Sequence, residues 1–393
     1  MKQLLRRGGG ALCLILLLCA AVLAPASAAE DQGAGALTIL FTHDTHDRFL
    51  PVPDEEGGEY GGYTRLATLL RQERAAAETP VVTLDAGDFS MGSLFQTIYA
   101  TDAPELRALG QMGYDVTTLG NHEFDYRARG LAEMLGAAVD SGDRLPAVVQ
   151  ANYKPPAGDG ATRAAWENYG IGDYVVLERD GVRVAVFGLL GVDADECAPM
   201  SGMEFTPLAQ AAQRVVETIQ AQEAADYIVC LSHSGTTDGK GEDYELAKAV
   251  DGIDVIISGH THSATQEPIR VNDTLIVSCG EYTRNLGVLT VEKTGEGLDT
   301  LDFRLVPIDE TVTEDAAMTA MARRFQQKVD EGYLAGFGLS FDQVLCESAF
   351  AFTPIRRFAQ QQQEDPLGSL IADSYVYAVE QAEGEDYRTV EFA

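Results

Sequence analysis

Positive charge is scarce in this chain. Its 393 residues include 28 lysines and arginines against 61 aspartates and glutamates, so the net charge at pH 7 is −33. A chain this acidic is not expected to bind nucleic acid or an anionic membrane nonspecifically, because both are themselves negative. It also repels phosphate compounds at long range, so any chemistry on phosphate needs a strong local positive charge, such as bound metal ions.

Cysteine and tryptophan are also few. The cysteines beyond residue 28 are Cys197, Cys230, Cys279 and Cys346, and none has metal-ligand spacing to another, which argues against a thiolate metal site. They allow three disulfide pairings, but Cys230 and Cys279 lie in apolar, strand-like runs and are expected to be buried free thiols. The single Trp166 is expected to pack or cover the surface rather than to form a substrate platform.

The apolar run at the start of the chain is too short to span a membrane. Residues 11–23 fall short of the ~20 that a spanning helix needs. A basic segment precedes this run and Ala26-Ser27-Ala28 follows it as a cleavage site, so residues 1–28 are predicted to be a secretory signal, with an uncleaved anchor as the alternative. Cleavage moves the net charge from −33 to −36 and leaves an exported chain (extracellular, cell-surface or periplasmic) without a stable membrane span.

Short apolar runs alternate with helical patterns, and a polar loop directly follows each run. The alternation predicts an α/β sheet of buried strands, with the loops at the strands' carboxyl ends, where such sheets gather their sites. Asp180-Gly181 between two apolar runs predicts a hairpin, so the sheet is expected to be mixed. The predicted strands are 37–41, 81–84, 116–119, 227–231 and 255–257, and the predicted helices are 63–77, 104–112, 129–139, 207–224, 244–250 and 315–330.

All six histidines lie in short motifs, most of them in the loops that follow these strands. The motifs are His43-Asp44-Thr45-His46, Gly87-Asp88, Gly120-Asn121-His122-Glu123, Ser232-His233 and Gly259-His260-Thr261-His262. Taken singly, Gly87-Asp88 is a common turn, and His260 and His262 could be ordinary loop histidines. Five motifs in one order are not expected by chance, and imidazole with carboxylate but no thiolate suits Zn, Mn or Fe.

This order of motifs resembles that of the calcineurin-like metallophosphoesterases. The fuller string Gly120-Asn121-His122-Glu123-Phe124-Asp125 resembles the 5′-nucleotidase branch. The resemblance is dense over residues 37–310 and thin over 340–393. It implies a four-layer α/β/β/α sandwich with mixed sheets, plus the start of a second α/β domain, and two divalent metal ions (Mn, Zn or similar) as cofactors.

The resemblance also implies a role for each motif residue. The first metal would be held by Asp44, His46 and His262, the second by Asn121, His233 and His260, and Asp88 would bridge them. His122 would contact the phosphoryl or leaving group, with Asp125 fixing its tautomer and orientation. Two ions ~3.5–4 Å apart would neutralise the phosphoryl oxygens and lower the pKa of a bridging water, so that hydroxide attacks.

Two residues depart from the family pattern. His43 stands where asparagine is common, and is expected to lie behind the ligands or to face solvent. Asp47 stands where glycine commonly follows the histidine, and is expected to tune metal affinity or to face solvent. The acidic cluster 193–196 is expected to be a solvated loop, with a cation site as the alternative.

The resemblance divides the chain into parts. After the signal 1–28 and a flexible leader 29–36, residues 37–310 are expected to form the catalytic domain and 311–340 a linker helix. Residues 341–393 are expected to be the incomplete beginning of the family's C-terminal domain, which in the family supplies nucleobase stacking and further phosphate contacts.

The predicted function is that of a secreted dinuclear-metal phosphoesterase, specifically a 5′-nucleotidase that hydrolyses nucleoside 5′-monophosphates. The alternative substrates are 2′,3′-cyclic nucleotides or nucleotide-sugar pyrophosphates. The alternative of another class is a catalytically impaired metal-binding surface or interaction protein, and the presence of both His122 and Asp125 argues against it. The oligomeric state is left open.

Overall fold

The computed structural model describes residues 35–54, 57–237, 239–295, 297–353, 357 and 364–389. The predicted signal 1–28 and most of the leader 29–36 lie outside the described residues.

The strands are β1 Leu37–Thr42, β2 Val52–Pro53, β3 Glu59–Tyr60, β4 Val81–Asp85, β5 Val116–Thr117, β6 Ala147–Val148, β7 Tyr153–Lys154, β8 Tyr174–Arg179, β9 Val182–Leu190, β10 Glu204–Phe205, β11 Tyr227–His233, β12 Val255–Ser258, β13 Ile269–Val271, β14 Thr274–Val277, β15 Asn285–Thr294 and β16 Gly297–Pro307. The helices are α1 Tyr63–Ala76, α2 Tyr99–Asp102, α3 Pro104–Met112, α4 Arg127–Ser141, α5 Gly160–Tyr169, α6 Val192–Cys197, α7 Leu208–Gln222, α8 Glu242–Ala249, α9 Ala316–Gly332 and α10 Pro366–Glu383.

Two six-stranded sheets carry most of these strands. The first has the order β16-β15-β1-β4-β5-β6, and the second has the order β13-β14-β12-β11-β9-β8. In the first sheet β1, β4, β5 and β6 run parallel, and in the second β14, β12, β11 and β9 do. The remaining pairings in both sheets are antiparallel, so both sheets are mixed, as predicted. Parallel strands bring their carboxyl ends to one edge, and that edge is where the motifs lie.

The residues of each central strand point alternately to two different cores. On β1, Ile39 packs between the two sheets while its neighbour Leu40 packs against the helices outside the first sheet. On β9, Val186 packs between the sheets while Phe187 packs against α7 and α8 outside the second sheet. Three cores in this order give four layers, so the predicted α/β/β/α sandwich is confirmed.

The predicted hairpin is present at the edge of the second sheet. Arg179 pairs with Val182 across the turn, and Asp180 and Gly181 both have positive φ, at 50° and 88°, as a two-residue type I′ turn requires. The predicted helices and strands are also present, with ends shifted by a few residues. β5 is the shortest of the predicted strands, because pairing ends at Thr117 and the chain then turns toward Asn121.

The helix predicted at 315–330 is α9, and it packs on the first sheet's helices. Met318, Phe325 and Val329 are buried in the same core as α1 and α3. By contrast, α10 has no buried residue among those described, and its Leu370 is half exposed. The division at residues 310 and 340 remains a prediction.

The scarce residues are placed as expected. Cys230 and Cys279 are buried free thiols, and Cys197 and Cys346 are exposed and free. Trp166 is buried against the core outside the first sheet. Within the part of the chain that the structure describes, every helix is too short or too polar to cross a membrane.

A buried acid in the first turn of α3 lets the fold be tested through pH. Glu105 is fully buried, and neither of its carboxylate oxygens has a hydrogen-bond partner among the described residues. Burial first, and then the charge of Asp47, raises the pKa of Glu105 well above its usual value. The folded chain therefore keeps a proton on Glu105 that the unfolded chain releases above about pH 4.3. The contribution of this proton to the free energy of unfolding is complete below that pH. It is lost as the pH rises toward the pKa of Glu105 in the folded chain.

Glu105→Gln removes this titration. Relative to wild type, the free energy of unfolding of the variant should rise by about 1.4 kcal/mol per pH unit above about pH 5, until the folded pKa is reached. Urea unfolding at several pH values measures the difference, with the exposed Glu267→Gln as the matched control. Parallel pH profiles for wild type and Glu105→Gln would show that Glu105 is ionised in the folded chain.

Candidate metal centre

The structure brings all seven candidate metal ligands together at the carboxyl ends of the parallel strands. Asp44 and His46 follow β1, Asp88 follows β4 and Asn121 follows β5 in the first sheet, while His233 ends β11 and His260 and His262 follow β12 in the second. The neighbouring strands are in register, with Thr42 opposite Asp85 and Ser232 opposite Ser258. The loops of two sheets therefore meet over one small region.

The candidate ligands form two groups that can each hold a metal ion. Asp44, His46 and His262 make one group and Asp88, His233 and His260 the other, and within each group the ligand atoms lie within 4.8 Å of one another. Nε2 of His46 is 3.1 Å from Nε2 of His262, and Nε2 of His233 is 3.1 Å from Oδ2 of Asp88. Oδ1 of Asn121 adds a donor atom 3.2 Å from Nε2 of His233.

The chemistry of these atoms fits a divalent cation. Oδ1 of Asp44 is buried and has no hydrogen-bond partner among the described residues, yet Nε2 of His262 lies 3.5 Å away and Nε2 of His233 lies 3.9 Å away. Buried carboxylates normally find a hydrogen bond or a cation. Burial lowers the pKa of His46, which favours the neutral imidazole that binds metals.

Backbone conformation sets these residues apart. Residues other than glycine seldom adopt positive φ, and such strain clusters at functional sites. Five of the seven candidate ligands have it: Asp44 (49°), His46 (46°), Asp88 (52°), His260 (73°) and His262 (53°). Main-chain hydrogen bonds hold the strained loops, since Asp44 N donates to Gly87 O at 2.9 Å and His46 N donates to Asp88 O at 3.0 Å.

The glycines of two motifs are required by close approach. Gly87 has φ of 85°, and a Cβ there would lie 2.7 Å from the backbone nitrogen of Gly120. A Cβ on Gly120 would collide with Oδ1 of Asp88 and with Nε2 of His233. The glycines therefore let the loops after β4 and β5 approach closely enough to share one site.

His122 lies beside both groups. Its backbone nitrogen donates to Oδ1 of Asp88 at 2.9 Å, and its Nδ1 is 3.0 Å from Oδ2 of Asp125. Burial acts to lower the pKa of His122, but the hydrogen bond to Asp125 and the charge of Asp88 outweigh it and raise that pKa to about 9. His122 can also be grouped with His46 and Asp88 as a possible ligand, so distance alone does not separate a metal-binding role from an acid role.

His43, which departs from the family pattern, lies directly behind Asp44. His43 is buried, and its Nδ1 is 2.6 Å from Oδ2 of Asp44. The backbone nitrogen of Cys279 donates to Nε2 of His43 at 2.8 Å, so Nδ1 carries the proton and donates it to Asp44. This confirms the position behind the ligands and excludes the solvent-facing alternative.

Asp47 is not solvent-facing either, because it is fully buried. Burial raises its pKa to about 7.

The expectation of a loop at 193–196 is wrong, since these residues lie in α6. No helical apolar period marked that segment, and its contacts are with distant parts of the chain.

Sequence reasoning gave no role to Glu123, and it considered Asp193 only within the cation-site alternative for the cluster 193–196. The buried Glu123 accepts hydrogen bonds from the backbone nitrogens of Asp88, Ser90 and Gly120, at 3.0, 3.0 and 2.6 Å. It therefore fixes the loops after β4 and β5 together, and its place in the Gly120 motif was the available signal. Asp193 lies 2.8 Å from His260, and no motif indicated that contact.

The chain belongs to the calcineurin-like phosphoesterase family, which its residues 37–264 match. Members of this class are metal-dependent hydrolases of phosphoric esters. Its relatives include proteins that are named as a nucleotide phosphoesterase and as 5′-nucleotidases. It is 28% identical over 385 residues to the trifunctional nucleotide phosphoesterase YfkN of Bacillus subtilis, covering 90% of this chain and 24% of the relative. It is 27% identical over 361 residues to the 5′-nucleotidase of Vibrio cholerae, covering 78% of this chain and 61% of the relative.

Solved structures agree with this assignment. The 5′-nucleotidase precursor from Thermus thermophilus superposes with a TM-score of 0.70 and 25% identity, covering 88% of this chain and 68% of that one. The NAD nucleotidase of Haemophilus influenzae has a TM-score of 0.64 at 20% identity, over 76% of this chain and 61% of that one, and shares the fold. The chain spans less than two thirds of the length of either curated relative.

Proposed function

We propose that this chain is an exported dinuclear-metal phosphoesterase that hydrolyses nucleoside 5′-monophosphates to nucleoside and phosphate. The observation that carries the proposal is the position of Asp88, which groups with His233 and His260 on one side and approaches His46 on the other. A carboxylate between two sets of imidazoles can serve two ions at once. Export rests on the signal pattern at residues 1–28.

The proposed ligands divide as the two groups do. Asp44, His46 and His262 would hold one ion, Asn121, His233 and His260 the other, and Asp88 both. When bound, two divalent ions supply Lewis-acid charge for the phosphoryl group and a nucleophile at neutral pH. In a chain of net charge −33, this local positive charge is what allows an anionic substrate to bind.

The chain's own acid is proposed to be His122. Asp125 accepts a hydrogen bond from Nδ1–H, so in the imidazolium form of His122 the proton that can be donated is the one on Nε2. The hydrogen bond to Asp125 favours the protonated form of His122, which can donate its Nε2 proton to a phosphoryl or leaving-group oxygen. The hydrogen bond from its backbone to Asp88 fixes His122 relative to the proposed bridging position.

Two comparisons bear on the substrate. The Vibrio cholerae relative is named a 5′-nucleotidase, which favours nucleoside monophosphates. The Bacillus subtilis relative, which matches over 90% of this chain, is named a trifunctional nucleotide phosphoesterase. That name favours a second candidate function, hydrolysis of more than one kind of nucleotide phosphoester, including 2′,3′-cyclic nucleotides or nucleotide-sugar pyrophosphates.

Purified protein assayed on AMP, a 2′,3′-cyclic nucleotide and an aryl phosphate, each with Mn²⁺ and with a chelator, tests the proposal. We expect hydrolysis that requires Mn²⁺ and is most efficient, by kcat/KM, on AMP. Preference for the cyclic nucleotide would favour the second candidate. Metal binding without hydrolysis of any of the three would instead favour a metal-binding protein that has lost catalysis.

A further inference from the structure

Asp193 is an exposed acid that touches a candidate metal ligand. It lies on α6, outside the seven candidate ligands, and its side chain is 71% exposed while that of His260 is 10% exposed. Oδ2 of Asp193 is 2.8 Å from Nε2 of His260. A contact this exposed contributes little to the stability of the fold, so its consequence lies in how it holds His260.

The backbone around Asp193 is anchored on the strands of the site. The nitrogen of Gly191 donates to the carbonyl of His233 at 2.8 Å. The carboxylate of Glu242 then accepts hydrogen bonds from the nitrogens of Val192 and Asp193, at 2.8 and 3.0 Å. The start of α6 is therefore fixed relative to β11 and α8, and the Asp193 carboxylate is presented to His260 from a rigid position.

The contact also decides which nitrogen of His260 is available to a metal. A carboxylate only accepts a hydrogen bond, so Nε2 of His260 is the protonated nitrogen and Nδ1 carries the lone pair. The backbone of His260 is fixed independently, because its nitrogen donates to Oδ2 of Asp44 at 2.9 Å. Imidazoles that bind metals usually give their second nitrogen's proton to a carboxylate or carbonyl in this way.

We propose that Asp193 is a positioning residue for the second metal: its carboxylate holds His260 in the tautomer and orientation in which Nδ1 can bind the ion grouped with Asp88 and His233. The proposal rests on the dinuclear function proposed above, and it adds a residue outside the histidine motifs. Asp193 can also be grouped with Cys197 and His260 as a possible ligand, but the proposal gives it no direct contact with the substrate or the metal. Asp193 acts through His260, and Glu242 acts in turn through α6.

Metal affinity is the measurement that tests this role. Mn²⁺ titration of the full chain, followed by calorimetry, should give two sites in wild type. Asp193→Ala should weaken one of them by ~10–100-fold, the usual effect of losing such a partner, and leave the other unchanged. Asp193→Asn keeps an accepting oxygen and should show a smaller loss. Glu196→Ala is the matched control, since it removes the same charge from the same exposed helix.

A spectroscopic measurement separates positioning from a general charge effect. In the Zn²⁺-loaded protein, ¹⁵N NMR of the imidazoles should place the His260 proton on Nε2 in wild type and show exchange or loss of that signal in Asp193→Ala. Two unchanged sites in Asp193→Ala, or an equal loss in Glu196→Ala, would overturn this inference alone. A wild-type chain that binds no Mn²⁺ would overturn the proposed function together with it.

Discussion

Asp88→Asn should reduce the metal content of the chain at both sites and lower phosphoester hydrolysis by ~10³-fold or more. The variant removes the charge of the proposed shared ligand, while the amide keeps an oxygen that can still accept from the backbone of His122. Bound ions contribute several kcal/mol to catalysis of this kind, and each 1.4 kcal/mol corresponds to about tenfold in rate. Of the seven proposed ligands, only Asp88 is assigned to both ions.

Elemental analysis after dialysis against Mn²⁺ or Zn²⁺ measures the effect, with two ions per wild-type chain as the reference. The exposed Asp140→Asn on α4 is the control for the change in net charge, and should keep both ions. A consistent value of one ion or none in wild type contradicts a dinuclear centre. Two ions bound with unchanged affinity in Asp88→Asn would rule out the bridging role while leaving the centre itself standing.

His122→Ala should have the next largest effect, and of a different kind. The variant should keep both metal ions yet lower kcat by ~10²–10⁴-fold, the range that a positioned acid or base contributes. The physical reason is the pair with Asp125, which is proposed to orient the imidazole so that its Nε2 meets the substrate. Asp125→Asn should give a smaller loss in kcat, because it disturbs only the orientation of His122.

His260→Ala provides the contrast, since it should lose metal from the second site. Metal content and kcat measured side by side for the two histidine variants therefore distinguish ligation from proton transfer. Equal loss of metal in both variants would mean that His122 binds an ion, as its place beside His46 and Asp88 permits. In that case the acid would have to be sought elsewhere at the site.

The residues that the sequence predicted well are those set by strand periodicity. Asp44, Asp88 and His233 each lie at or just beyond the carboxyl end of a buried parallel strand. An apolar run followed by a polar motif is a local signal, and parallel pairing alone brings such motifs to one edge. This explains why the fold and the gathering of the candidate ligands at one edge could be predicted from one chain, while the ligand roles, which come from the family resemblance, stay a prediction.

The contacts that the sequence could not predict join distant parts of the chain. His43 bonds to the backbone of Cys279, 236 residues away, and only the packing of β1 against the loop after β14 creates that contact. Asp193 reaches His260 across the second sheet from a six-residue helix that carries no apolar period. Local pattern gives no information on such pairs, because they exist only once both sheets are assembled.

Five of the candidate ligands have left-handed backbone, which lowers the folding stability of the chain at the residues that its proposed activity needs. Each such residue costs roughly 1–2 kcal/mol relative to a relaxed conformation, and glycine at the same position would relieve the strain while removing the side chain that is proposed to bind the ion. A screen for variants of higher folding stability alone should therefore select substitutions at the strained candidate ligands, which are Asp44, His46, Asp88, His260 and His262. The same substitutions would inactivate the protein. Stabilising changes that preserve activity have to be sought in the outer helical layers, away from this edge of the sheets.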